Sequence, residues 1–239
     1  MTRLEPGSAG RSSAESLHAQ LERFATDVGE LYSRQKVRSE QLEAALVSMR
    51  TAYRETVRSM AYVVEAKDAY TGQHLERCRV YGIALMEALG ISSAYPDAEF
   101  GFLLHDVGKV GVPERILNKP GPLTAAEWRV MRTHPVIGWH ILNGIPNMEN
   151  AAEVVRCHHE MWCGDGYPAG LKKEEIPLPA RVFQVVDAYD AMTTDRPYRS
   201  ALTLDRTLGE LARVSGTQFD PDVVAAFLGI AEGLPTVRV

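Results

Sequence analysis

Five histidines of this 239-residue chain stand where a buried cluster of metal ligands would need them: His74, His105, His134 and the adjacent pair His158 and His159. His105 is followed directly by Asp106. Imidazole is costly to bury without a partner, so four histidine stations among apolar helical segments call for a shared cation. Divalent metal ions supply one, with Asp106 and Asp187 as hard carboxylate partners. That combination points to metal-dependent hydrolysis. The other two histidines fall outside the pattern. His18 belongs to an amphipathic helix, and His140 lies about 240° round a helix from His134.

The stretch Phe100–Lys109 ends an apolar helix in His-Asp-Val-Gly-Lys. If that helix continues, His105, Asp106 and Lys109 share one face. A carboxylate there can bridge two metal ions while the histidine holds one, and the lysine ammonium can point at a phosphate oxygen. Taken alone, the stretch fits a buried ion pair beside a hydrogen-bonded histidine equally well. His158-His159-Glu160 is more demanding. Neighbouring helical residues diverge by about 100°, so both imidazoles reach one cluster only from a helix end. His134 precedes Pro135, His74 sits in a Thr-Gly-Gln-His turn, and Asp187 lies on the apolar segment Val182–Asp190. A buried acid in that segment needs a cation or several donors.

The elements that must position these residues are helical. Apolar residues recur every three or four positions through 61–89, 97–110, 124–143, 150–160, 179–194, 203–214 and 221–231. Thr124 and Glu127 form a capping box, and Asp220-Pro221 offers an N-cap with proline at the first helical position. No segment alternates as a strand would, so the fold is expected to be all-α. Residues 111–122 and 163–179 are rich in Gly and Pro and read as loops. Residues 1–11 read as a disordered leader and 12–59 as one long amphipathic helix, followed by a globular domain over 60–232 and a tail over 233–239. In the long helix Leu17, Leu21, Phe24, Val28 and Leu31 are spaced 4, 3, 4, 3, a coiled-coil seam. It weakens at Gln35 and Arg38 and resumes through Leu42, Leu46, Met49 and Tyr53. We read it as a dimerising or signalling stalk, in preference to a helix folded onto its own domain. A net charge of -5 argues against a DNA-coating or membrane-surface protein, and three scattered cysteines argue against a disulfide scaffold. No apolar run approaches a membrane span, and the first residues carry no secretory core, so a cytoplasmic setting is expected.

These residues resemble the HD-GYP family, cyclic-di-GMP phosphodiesterases within the HD metal-dependent phosphohydrolases. The matching stretches are DAYTGQHLER, HDVGK, KPGPLTAAEW, HPVIGWHIL, HHEMWCGDGYPAGL, IPLPARVFQVVDAYDAMTTDRPYR and GTQFDP, in family order across about residues 60–230. The HHE to GYP block followed by DRPYR is the specific part. The resemblance implies an HD-type helical bundle carrying a buried metal site. It implies His74, His105, Asp106, His134, His158, His159 and Asp187 as ligands of two divalent ions, iron or manganese, bridged by Asp106. Lys109 corresponds to the phosphate-facing catalytic lysine, and Asp68 to an acid that contacts the water between the metals. Tyr167, with Gly166 and Pro168, and Arg196 and Arg199 correspond to the dinucleotide-binding set. A guanine can stack on the aromatic ring while guanidinium groups pair with phosphate oxygens.

The implied reaction is hydrolysis of 3′,5′-cyclic-di-GMP to linear pGpG by a hydroxide shared between the metals. Two positions depart from the family. Members with a third metal carry a glutamate where this chain has Tyr70, which predicts two metals and poorer conversion of pGpG to GMP. Cys163 stands where the family has aspartate, and a thiol cannot carry that charge. Two other readings compete: a catalytically impaired module that binds cyclic-di-GMP or a protein partner, and an HD hydrolase of other nucleotides. Trp128 and Trp139 are expected to pack between helices, Trp162 to wall the site, and Cys78 to be a small core residue.

Overall fold

The computed structural model describes residues 8–66, 73–195 and 200–235. Among them every regular element is helical, apart from one isolated bridge between Ser215 and Phe219. The all-α expectation holds. The chain divides into two compact units, Met1–Thr56 and Val57–Val239.

The first unit consists, among the described residues, of the helix α1, which spans Ser8–Glu65 and ends in the second unit. It begins four residues upstream of the start expected at residue 12. Leu17, Leu21, Phe24, Val28 and Leu31 are all exposed along it, as are Leu42, Leu46, Met49 and Tyr53. The helix is supported locally by pairs one turn apart, such as Arg34 with Glu30 at 3.4 Å.

The second unit holds α2 (Gln73–Ala88), α3 (Ala98–Leu104), α4 (Glu114–Leu117), α5 (Ala125–Met131), α6 (His134–Leu142), α7 (Glu149–Cys157), α8 (Leu178–Thr193), α9 (Leu204–Arg213) and α10 (Pro221–Ile230). Two apolar clusters organise it. One gathers Leu85, Phe102, Val182, Phe183, Leu211 and Phe227. The other gathers Val57, Ala61, Leu75, Leu103, Leu104 and Val155. The short α3 serves both: Phe102 stacks on Phe183 in the first, while Leu103 and Leu104 enter the second. Fixing α3 between two cores fixes the point from which the next residue, His105, departs.

Three helices differ from their apolar periodicity. The 61–89 pattern is shared between two helices, α1 ending at Glu65 and α2 beginning at Gln73. The 124–143 pattern splits at Arg132 and Thr133, so that His134 and Pro135 open a new helix, the position where proline needs no amide partner. The 97–110 pattern stops being α-helical at Leu104. Both predicted caps are present. Thr124 and Glu127 exchange capping-box bonds, and the Asp220 side chain accepts from the Asp222 amide at 2.9 Å.

Candidate metal centre

His105 leaves from the C-cap of α3, and the chain then tightens into a 3-10 segment, Val107–Gly111. The α-helix therefore does not carry His105 and Lys109 onto one face. The 3-10 turn achieves the pairing differently, because its residues three apart eclipse: Lys109 Nζ lies 2.8 Å from Asp106 Oδ2. Gly108 permits the turn. A Cβ there would collide with the His134 carbonyl and with the Gly138 amide on α6. The missing side chain lets Asp106 reach the histidine at the head of α6.

Three imidazoles are set by one local device. The Nδ1 atoms of His105, His134 and His158 lie 3.1, 2.8 and 2.8 Å from the carbonyl oxygens of Phe102, Met131 and Val155, each three residues earlier. A carbonyl only accepts, so each Nδ1 carries the proton and each Nε2 presents a lone pair. Those lone pairs converge. His105 Nε2 is 3.1 Å from Asp106 Oδ2, His134 Nε2 is 3.3 Å from Asp106 Oδ1, and the Nε2 atoms of His134 and His158 are 3.3 Å apart. Asp106, His134, His158 and His159 each offer a ligand atom within 4.8 Å of the others.

This donor set fits a divalent cation. Two inward lone pairs 3.3 Å apart beside a carboxylate repel unless a proton or a metal sits among them. Burial, and then the neighbouring imidazoles, hold His158 well below its ordinary range, and burial pushes His159 down to about 3. Both are therefore neutral and available to coordinate. Burial alone would raise Asp106, but the Lys109 ammonium holds it well below the usual carboxylate range. Ligand bonds of about 2.1 Å place neighbouring donors on one ion roughly 3–3.5 Å apart, the spacing seen here.

A second group lies across the cleft. His74 Nε2 is 3.6 Å from Asp187 Oδ1, and the His74 ring meets the His105 ring edge-on at 5.4 Å. Here the anchor is a side chain. Asp190, fully buried on α8, accepts from His74 Nδ1 at 2.7 Å and from the fork of Arg77, whose Nη2 is 3.0 Å from Oδ2. Cys78 joins His74 and Asp187 within 4.8 Å, but its sulfur is nearer Nδ1 (3.5 Å) than Nε2 (3.9 Å). It packs on the ring and does not meet the metal-facing lone pair, which matches its expected place in the core.

The two groups open on a cleft of about 430 Å³, lined by His74, His105, Asp106, Lys109, His134, His159, Tyr167 and Asp187, with Trp128, Met131 and Leu117 as apolar wall. His158 lies beneath this surface, fully buried as a side chain. The structure thus brings together all seven histidine and aspartate positions expected to hold metal, and Lys109 with them.

At the Gly-Tyr-Pro turn, the Tyr167 ring stacks on His159 with centroids 4.7 Å apart, and the Tyr167 amide donates to the His159 carbonyl at 3.1 Å. Gly166 passes so close to Glu160 and Met161 that any side chain would collide with their backbone. Glu160 is the residue that sequence reasoning left without a role. It is buried, and its carboxylate accepts from the Ala169 and Leu171 amides at 2.7 and 3.0 Å, tying the loop that follows Pro168 to the histidine pair. Trp128 and Trp162 exchange their expected places: Trp128 lines the cleft, while Trp162 lies under the Arg181 guanidinium away from it. Cys163 is exposed and is not part of the cleft wall. Asp68, Tyr70, Arg196 and Arg199 lie outside the described residues.

The family model described as HD domain matches residues 93–223, more than half of the chain. The chain therefore belongs to the HD domain family, and its motifs place it in the HD-GYP branch. A cyclic di-GMP phosphodiesterase of Thermotoga maritima is 37% identical over 186 residues, covering 77% of this chain and 50% of that protein. A 3′3′-cGAMP-specific phosphodiesterase 2 of Vibrio cholerae is 37% identical, covering 77% of this chain and 36% of that protein. Among solved structures, the PgpH phosphodiesterase HD domain of L. monocytogenes in complex with cyclic-di-AMP shares the fold, with a TM-score of 0.52 at 16% identity over 76% of this chain and 99% of that one. The chain spans about half the length of the first two curated relatives it matches. Among the described residues, no helix is long and apolar enough to cross a membrane.

Proposed function

We propose that the chain is a metal-dependent phosphodiesterase that hydrolyses cyclic-di-GMP to linear pGpG, and pGpG less readily to GMP. The observation that carries this reading is the convergence of three inward Nε2 lone pairs on Asp106 beside Lys109, facing one cleft. Relatives named for cyclic di-GMP hydrolysis support the substrate.

His74, His105, Asp106, His134, His158, His159 and Asp187 would hold two ions, iron or manganese, which supply Lewis acidity toward the phosphoryl oxygens and activation of water. Lys109 projects its ammonium into the cleft and meets the charge that grows on those oxygens. Asp106 stays ionised beside it, held so by the lysine. In the overall step water adds to phosphorus as the bond to the ribose 3′ oxygen breaks, and that oxygen leaves with the proton. Tyr167 offers a base-stacking face, Arg196 and Arg199 bind phosphate, and Asp68 orients water. Tyr70, in place of a third-metal glutamate, limits the site to two ions.

The test is turnover of cyclic-di-GMP by the metal-reconstituted chain. We expect pGpG, little GMP, and complete loss of both in Asp106→Ala. A chain holding two metal equivalents that turns over no cyclic-di-GMP would be a binding or protein-interaction module instead.

The exposed seam on α1 supports a homodimer, with the stalk receiving a signalling partner. Sedimentation equilibrium should give a dimer, and Leu21→Glu with Phe24→Glu should give a monomer. A monomeric unsubstituted chain would remove this assignment. Three free cysteines suit a reducing, cytoplasmic setting.

A further inference from the structure

We propose that Arg132 selects guanine over adenine by pairing with the outer edge of the base that stacks at Tyr167. The inference rests on the cyclic dinucleotide reading above and adds to it the residue that reads the purine.

Arg132 is the C-cap of α5, one turn after Trp128. Its guanidinium carbon lies 5.1 Å from the Tyr167 ring centroid and 5.9 Å from that of Trp128. Trp128, Met131 and Tyr167 all line the cleft that holds Asp106 and Lys109. Arg132 itself is exposed, and among the described residues no carboxylate lies within ion-pair distance of it. Its side-chain donors are thus spent on aromatic faces and solvent.

The competition for Tyr167 follows from general magnitudes. A cation over an aromatic face at an exposed site is held more weakly than a base stacked on an aromatic ring. A purine entering the cleft therefore takes the ring and displaces the guanidinium toward the base edge. Guanine presents two acceptors there, O6 and N7, which match the planar arginine fork. Adenine presents N7 beside an amino donor, which opposes one of the arginine N–H groups. Cyclic-di-GMP, 3′3′-cGAMP and cyclic-di-AMP, named for proteins similar to this one, differ only in their bases. Selection among them needs a group at the base edge, and the guanidinium displaced from the Tyr167 ring is placed to reach it.

The experiment compares kcat/KM for cyclic-di-GMP and cyclic-di-AMP on the metal-reconstituted full chain, for the unsubstituted protein, Arg132→Ala and Arg132→Lys. An exposed side chain can be changed without loss of fold, to be checked for each variant by circular dichroism. The ratio of the two kcat/KM values cancels any general damage. We expect Arg132→Ala to lower the preference for cyclic-di-GMP about tenfold, as losing one bidentate base contact does. Arg132→Lys keeps the charge but not the fork, and should lower it similarly. Equal losses on both substrates would make Arg132 a phosphate contact and overturn the proposal, as would an unchanged ratio. If the unsubstituted chain turns over neither dinucleotide, the functional reading itself falls, and this inference with it.

Discussion

The two halves of the candidate metal centre are built from the same residue types but anchored by different means. On the Asp106 side, His105, His134 and His158 are each oriented by a carbonyl three residues earlier, at a helix end or beginning. On the Asp187 side, His74 is oriented by Asp190, 116 residues away, which is itself gripped by Arg77. The first device costs nothing beyond ending a helix at the right residue. The second depends on the packing of α2 against α8 and on one buried ion pair. The comparison teaches that the halves should fail separately: local anchors survive changes in tertiary contact, and a distant anchor does not.

The largest effect should come from Asp106, the residue proposed to serve both halves. Asp106→Ala removes the carboxylate on which the Nε2 atoms converge, and with it the ion pair to Lys109. Metal bound per chain, measured by elemental analysis after reconstitution and dialysis, should fall toward zero along with turnover. Retention of both ions would mean that Asp106 does not bridge the halves.

Next in size is the distant anchor. Asp190→Asn keeps an acceptor for His74 but removes the charge that holds Arg77, so the fold has its best chance of surviving. Loss of such an outer partner typically costs about 10- to 100-fold in metal affinity. The expected result is one weakened ion and one retained. Equal weakening of both ions would show that the halves are coupled, and no weakening would show that His74 needs no anchor. Asp190→Ala is the harsher version, since an unpaired buried guanidinium costs about 3–5 kcal/mol.

The same contrast explains how much was legible in the sequence. His105-Asp106, His134-Pro135 and His158-His159 announce themselves because each sits beside the helix boundary that orients it, and both are written within a few residues. The all-α architecture and the caps at Thr124 and Asp220 were legible for the same reason. Asp190 was not, although it stands three residues after Asp187, because its partner His74 is known only once α2 packs on α8. The 3-10 turn after Leu104 was hidden by an apolar spacing that continues past it. Its cause, the approach of Gly108 to the His134 carbonyl, is a tertiary contact. The exchange of Trp128 and Trp162 has a similar origin: both are aromatic residues near motifs, and only the fold says which faces the cleft.

A smaller effect tests the loop beside the Asp106 side. Glu160 is buried and takes two backbone amides with one carboxylate, so Glu160→Gln leaves at least one of them poorly paired. Urea unfolding should show a loss of about 2 kcal/mol, the usual range for a charged hydrogen bond in a buried site. Metal content should equal that of the unsubstituted chain, because no carbonyl that orients a histidine belongs to this loop. Loss of an ion would extend the local device to include Glu160.

The smallest effect is expected where the chain departs from its family. Cys163 is exposed, outside the cleft wall, and its amide is already paired with the Thr217 carbonyl at 2.8 Å. A carboxylate there would meet solvent and neither histidine anchor. Cys163→Asp should therefore change stability by no more than about 0.5 kcal/mol, the usual span for an exposed position. Metal content and turnover should hold as well. A large gain in turnover would mean that position 163 acts on the cleft through the loop Gly164–Tyr167, and that the Asp106 side, for all its local anchoring, has a distant support of its own.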